Sequence, residues 1–199
     1  TPCGTLFPYT TLFRSVALLL AAGLAAWFLR RRRGQAGHRL VRGRRIPDFT
    51  VRTEDGEPAG PTDLRGLPAV IIFLRGNWCP FCSSQVEGLT RHYRRINELG
   101  ARLILVVPEP QQTTRRVADL FDVDFTFWLD PGLNAAETLG IVHPGGVPEE
   151  HRDDFGTDTL RPVSVVVDSE GIIRYAYRSR DPRERPDPAE FVKVLERLA

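Results

Sequence analysis

Cys79 and Cys82 stand two residues apart in the run Trp78-Cys79-Pro80-Phe81-Cys82, and this spacing is the strongest chemical signal in the chain. On a helix the two thiols lie one turn apart, close enough to form a disulfide. A cysteine in the opening turn of a helix faces backbone N–H groups that have no intrahelical partner, and the positive end of the helix dipole. Both favour thiolate over thiol, so the pKa of Cys79 is expected below the free value of about 8.5. Pro80 suits an early helical position because it has no N–H to lose. Trp78 is expected to shield one side of the pair from water. Such a dithiol supports thiol–disulfide exchange, or peroxide reduction through a sulfenic acid. Structural zinc would need two more ligands, and His38, His92, His143 and His151 form no paired motif with the cysteines, so neither metal nor cofactor is expected. Two inert buried cysteines are the plainest alternative. The tryptophan, the proline and the placement of the pair count against it.

That placement follows from the elements on either side. Residues 69–74 (AVIIFL) form a continuous apolar run, as in a strand covered on both faces. Residues 80–99 then carry Val86, Leu89, Tyr93 and Ile96 at helical spacing, and Gly100 ends the pattern. The cysteines therefore stand where a core strand gives way to a helix, the position at which parallel sheets carry their chemistry. Further on, strands are expected at 102–107, 125–129, 163–167 and 172–177, and helices at 113–121, 134–139 and 187–198. Asp168-Ser169-Glu170-Gly171 turns the last two strands into a hairpin. Residues 140–160 are expected to form a polar, solvated loop with His143 and His151 exposed; a lid over the site is the alternative. Alternating strands and helices imply a parallel sheet between helices, to which the terminal hairpin adds antiparallel strands. The expected fold is an α/β three-layer sandwich with a mixed central sheet over residues 46–199.

Composition and charge narrow the partners. The chain has 199 residues, 42% hydrophobic and 26% charged, which is globular composition, and three cysteines exclude a disulfide-stapled scaffold. Residues 1–45 hold nine arginines and no carboxylate, so a total of +2 leaves −7 on the remaining 154 residues. An acidic body repels phosphates, so no nucleic-acid partner is expected; the basic head suits an anionic lipid surface. Residues 5–15 (TLFPYTTLFRS) resemble the in-frame translation of a short-read sequencing adapter, which makes 1–15 a non-native segment and leaves Cys79 and Cys82 as the native thiols. The absence of methionine agrees with a missing natural start. Residues 16–29 are apolar and, as a helix, would span about 21 Å, short of a ~30 Å hydrocarbon core. They are expected to be a truncated transmembrane anchor, with the lipid bilayer as partner and Trp27 near the interface. Residues 30–45, opening with four consecutive arginines, then form a basic juxtamembrane linker, and the positive-inside rule places the body on the cytoplasmic side.

FLRGNWCPFC at 73–82, RPVSVVVDSEGIIR at 161–174, IPDFTV at 46–51 and DLRG at 63–66 together resemble the thioredoxin-like superfamily, specifically its peroxiredoxin-like (AhpC/TSA, redoxin) branch. The resemblance covers about residues 42–199. It implies a thioredoxin-like fold, a protein disulfide or a hydroperoxide as substrate, and an upstream thiol as reductant. It also shows departures. With Cys82 at the peroxidatic position of the family's P-x-x-x-T-x-x-C pattern, Cys79 replaces the threonine and Arg75 the proline. The family's later arginine, six residues before the strand-ending aspartate (here Asp168), falls on Pro162. A thioredoxin-type cis-proline at Pro162 would hold a substrate chain beside the sulfurs, and Arg161 would supply positive charge. In that scheme Cys79 attacks and Cys82 resolves. The thiol peroxidase is the alternative, and a non-catalytic binding module the second alternative.

Overall fold

The computed structural model describes residues 39–108 and 123–199. The expected adapter segment, anchor and most of the linker, and the helix expected at 113–121, lie outside the described residues. Nine strands are described: β1 (Val51–Arg52), β2 (Pro58–Ala59), β3 (Ala69–Phe73), β4 (Arg102–Val107), β5 (Thr126–Leu129), β6 (Val142–His143), β7 (Thr159–Leu160), β8 (Val163–Val167) and β9 (Ile173–Arg178). The described α-helices are α1 (Pro80–Glu98), α2 (Asn134–Leu139), α3 (Arg152–Phe155) and α4 (Pro188–Leu195). Seven strands form one sheet in the order β2-β1-β5-β4-β3-β8-β9, and β6 pairs with β7 separately. β3, β4 and β5 are parallel. β8 runs antiparallel to β3, β9 antiparallel to β8, and β1 antiparallel to β5. The sheet is mixed, as expected, but antiparallel strands stand at both edges: the expected hairpin β8–β9 at one, and β1–β2, which was not expected, at the other.

Strand geometry sends successive side chains to opposite faces, and β3 feeds two cores. Ala69, Ile71 and Phe73 join Ile104, Val106, Val163, Val165, Phe49 and Trp128 on one face. Val70, Ile72 and Leu74 join Leu103, Leu105, Val86, Leu89, Ile96 and Phe191 on the other, where α1 and α4 pack. All five β3 side chains are buried, which is why the run lacks polar alternation. Cys79 and Cys82 belong to the second core, at the end of β3 and the start of α1.

Three expectations change. Arg39–Arg45 is not free linker: Leu40 is fully buried, Arg39 N–H donates to Leu139 O at 3.0 Å, and Arg45 forms a bridge with Ile172. An apolar side chain with a core to enter overrides the basic character of its neighbours. The closing helix ends at Leu195, and residues 196–198 continue as a turn. Residues 140–160 are not a solvated loop: they carry β6, a 3-10 turn, α3 and β7, and they bury Ile141, Val147, Thr159 and Leu160.

Candidate active site

Cys79 caps the N-terminus of α1, with extended backbone (φ −93°, ψ 106°), and Pro80 occupies the first helical position. The carbonyl of Cys79 accepts the N–H groups of Cys82 (3.0 Å) and Ser83 (3.3 Å), so the two cysteines share one turn. Both are free thiols, and both are buried, at 1% and 2% exposure. Cys79 is lowered to about 6: the Cys82 thiol donates to its sulfur, burial opposes, and the Cys82 backbone N–H, Arg185 and Arg75 lower it further. Cys82 moves the opposite way, because it keeps the proton it shares with Cys79 and because it is buried. The pair thus divides into an ionised Cys79 and a protonated Cys82.

Two arginines hold the sulfurs. Arg185, on the loop before α4, donates from Nη2 to Cys82 Sγ at 3.1 Å and stands 3.6 Å from Cys79 Sγ. Its Nη1 is fixed by the carbonyls of Pro182 and Glu184, each at 2.7 Å. Arg75, just beyond β3, donates its backbone N–H to Cys82 Sγ at 3.4 Å. The Arg75 guanidinium lies 4.7 Å from the Trp78 ring centre and donates to Gly146 O. Neither arginine stood out in the sequence as a site residue. A core strand running straight into the cysteines signals the position of Arg75; nothing near Arg185 in the sequence ties it to residues a hundred positions away.

The 140–160 segment closes over this region. Thr159 donates its hydroxyl to Arg75 O, and His151 stacks on Trp78 with ring centres 5.9 Å apart. Trp78 therefore contacts both a guanidinium, as a cation–π pair, and an imidazole, by ring stacking. Gly76, at φ 151°, makes room for it: a Cβ there would stand 2.6 Å from Trp78 Nε1. His143 and His151 are half-buried, contrary to expectation, because β6–β7 pairing and the Trp78 stack hold them in. Arg75 and Trp78 also line a cavity of about 320 Å³ with Leu133, Val147, Phe155 and Thr159.

The remaining sequence candidates divide. Pro80 is in place and exposed. Pro162 is buried at the start of β8, whose Val163 pairs with Phe73 at the cysteine end of β3. No peptide bond is cis among the described residues, so Pro162 is trans and the cis-proline expectation is not met. Arg161 N–H donates to Ile141 O at 2.7 Å and Ser179 N–H to Pro162 O at 3.0 Å, which ties the segment in extended form on both sides. Arg161 acts on His143 and Arg178 rather than on the sulfurs. No group of three or more metal-ligating side chains occurs among the described residues.

Over 160 residues the chain is 24% identical to a chloroplastic peroxiredoxin Q of Oryza sativa subsp. japonica, covering 80% of this chain and 69% of that protein. Over 131 residues it is 26% identical to the thiol-disulfide oxidoreductase ResA of Halalkalibacterium halodurans, covering 57% of this chain and 74% of that protein. The fold matches a peroxidoxin, BcpB, from Mycobacterium tuberculosis (TM-score 0.62, 15% identity, 79% of this chain and 97% of that one). It also matches a peroxiredoxin-like protein from Aquifex aeolicus (TM-score 0.63, 20% identity, 82% and 90%). The sequence model of the AhpC/TSA family matches residues 42–176, most of the body and all of the dithiol region, and the chain belongs to that family as a peroxiredoxin-like oxidoreductase of the thioredoxin-like superfamily.

Proposed function

We propose that the chain is a membrane-anchored thiol–disulfide oxidoreductase whose working groups are Cys79 and Cys82. The observation that carries this reading is the division of the pair, with Cys79 lowered to about 6 at a helix N-terminus and Cys82 kept protonated beside it. Cys79 thiolate attacks a sulfur of the substrate disulfide and forms a mixed disulfide. Cys82 then loses its proton, attacks Cys79 and releases the reduced substrate. An upstream thiol returns the Cys79–Cys82 disulfide to the dithiol. Because both thiols are buried, the Arg185 side chain must swing aside to admit the reactant; in place, it holds the thiolate by charge. Trp78, Pro80, Pro162 and Arg161 shape and charge the surroundings. The anchor is residues 16–29, and the body faces the cytoplasm, a reading supported by the arginines that follow the apolar run.

A second reading, thiol peroxidase, is favoured by Cys82. It occupies the family's peroxidatic position and receives Arg75 N–H at 3.4 Å and Arg185 Nη2 at 3.1 Å, donors that would also polarise a peroxide. In that case Cys82 forms the sulfenic acid and Cys79 resolves it. Stopped-flow oxidation of the reduced protein by hydrogen peroxide, set against turnover of a protein disulfide, separates the two. The first reading expects the disulfide to react faster; faster peroxide consumption reverses the assignment.

A further inference from the structure

The two sulfurs have different supports. Cys79 caps α1 and is held as thiolate chiefly by the Cys82 thiol; against the opposition of burial, the Cys82 N–H, Arg185 and Arg75 then add smaller contributions. Cys82 has no helix end of its own. Its sulfur receives Arg185 Nη2 at 3.1 Å and the Arg75 backbone N–H at 3.4 Å. The same Nη2 stands farther from Cys79, at 3.6 Å. The guanidinium thus lies nearer the sulfur that keeps the proton in the reduced protein. A cationic donor gains most from an anionic acceptor. Its placement therefore suits a later state, in which Cys79 is spent and Cys82 is ionised.

Arg185 is built into this place. Its Nη1 donates to Pro182 O and Glu184 O, each at 2.7 Å. The loop that carries it is tied at both ends. Ser179 N–H donates to Pro162 O at 3.0 Å, and Asp187 accepts Ala189 N–H at 2.9 Å where α4 begins. Asp181, a carboxylate of the same loop, pairs with Arg183 at 2.7 Å. Arg185 itself makes no salt bridge among the described residues. Its Nε is buried without a hydrogen-bond partner. A cation that meets only carbonyls and sulfurs, and leaves one donor unpaired, costs stability unless it has an anion to act on.

We propose that Arg185 is a catalytic residue of the second half of the exchange, holding Cys82 as the thiolate that attacks the mixed disulfide. The inference rests on the thiol–disulfide reading and deepens it. Cys79 thiolate attacks one substrate sulfur, the S–S bond breaks, and the first substrate thiolate leaves. The hydrogen bond to Cys79 and the repulsion from its charge, which hold the Cys82 proton in the resting pair, are then gone, while burial remains. The departing thiolate takes the Cys82 proton. Arg185, back in place, and the Arg75 N–H receive the new anion on a sulfur too buried for water to solvate. Cys82 attacks Cys79 Sγ, the mixed S–S bond breaks, and the second substrate thiolate leaves and takes a proton from solvent. The dithiol loses two electrons and the substrate disulfide gains them.

The test is stopped-flow reduction of 4,4′-dithiodipyridine, an uncharged disulfide that releases one 4-thiopyridone in each step. The reduced full chain is in excess and carries Cys3→Ser, so that Cys79 and Cys82 are its only thiols. Two phases of release are expected. Arg185→Gln should slow the second about tenfold or more and the first by no more than about threefold, because Cys79 keeps its contacts with Cys82. The second phase should become half-maximal at higher pH in that variant, and Arg185→Lys, which keeps the charge but not the fork, should recover part of the rate. If the glutamine variant does not fold, the unsubstituted Arg185 protein still decides. Its second phase should be half-maximal below the free-thiol value of about 8.5, although Cys82 is buried. A midpoint above that value, or a first phase slowed as much as the second by Arg185→Gln, overturns the role of Arg185 while leaving thiol exchange intact. If only one 4-thiopyridone is released, Cys82 does not resolve, and the thiol–disulfide reading falls and takes the proposal with it.

Discussion

At the scale of single residues, the chemistry turns on which sulfur carries the proton. Cys79 is lowered to about 6 by its hydrogen bonds with Cys82 and by Arg185 and Arg75, so at neutral pH it is largely thiolate. The ultraviolet absorbance of the thiolate should titrate with a midpoint near 6 in the reduced protein, vanish in Cys79→Ser, and shift upward in Arg185→Met. A midpoint near the free value of about 8.5 would contradict the assignment. The same shift couples to stability. A folded-state pKa below the unfolded one stabilises the fold above the unfolded value, and that contribution is lost as pH falls through the folded value. The reduced protein should therefore resist urea better at pH 8 than at pH 6, by at most about 1.4 kcal/mol per pH unit. Cys79→Ser should flatten that slope. Cys82, whose proton is held more tightly than in a free thiol, stays neutral across this window and adds nothing to it. Cys79→Ser should also abolish reduction of disulfides; retained biological function in that variant would favour the non-catalytic module. Cys82→Ser should let Cys79 attack but trap the mixed disulfide, which mass spectrometry would read as a stable adduct.

At the scale of elements, the positions of the strands and of the long helix follow from short-range patterns. Five consecutive apolar residues in β3 need cover on both faces, and the spacing of Val86, Leu89 and Ile96 needs one face of a helix, so both were legible. The WCPFC run pointed to the candidate site because its local context, strand then helix, places a thiol beside free backbone N–H groups at a helix N-terminus. Arg185 was not legible, since a polar loop gives no periodic signal for a contact with residues 103 positions away. The 140–160 segment misled for a related reason: its many polar residues outweigh the few apolar ones, Ile141, Val147 and Leu160, that anchor it. Two tests follow. His151→Ala removes the ring stacked on Trp78, so acrylamide should quench Trp78 more readily, while Trp128, buried in the other core, stays protected. Unchanged quenching would mean that the segment does not cover the tryptophan. Asp130, buried after β5, accepts the N–H groups of Ala135 (3.0 Å) and Ala136 (2.9 Å) at the start of α2. Asp130→Ala leaves both donors unpaired and should cost about 2 kcal/mol in urea unfolding, with Asp130→Asn restoring part of it.

At the scale of the whole molecule, charge is distributed as two opposed segments, nine arginines without a carboxylate over residues 1–45 and −7 over the remaining 154. Among the described residues no helix is long and apolar enough to cross a membrane, so the anchor expected at 16–29 has to be tested on the chain itself. An acidic body gains nothing from an anionic lipid surface and is held there only if the apolar run inserts and the arginines after it grip the headgroups. The full chain should therefore sediment with membranes and resist alkaline carbonate, whereas a chain beginning at Arg39 should stay in the supernatant. High salt alone should not release the full chain, because insertion depends on apolar burial rather than on screened charge. Release by salt would instead mean that the arginines act as a peripheral contact. Orientation is read separately, with a reporter fused after Ala199. Arginines immediately following the span favour a cytoplasmic body, where glutathione and thioredoxin-type reductants would return Cys79 and Cys82 to the dithiol after each turnover. A reporter active only outside the cytoplasm would reverse the topology. The dithiol would then need its electrons passed across the membrane, and Cys79–Cys82 should be recovered from cells largely as the disulfide unless that supply is present.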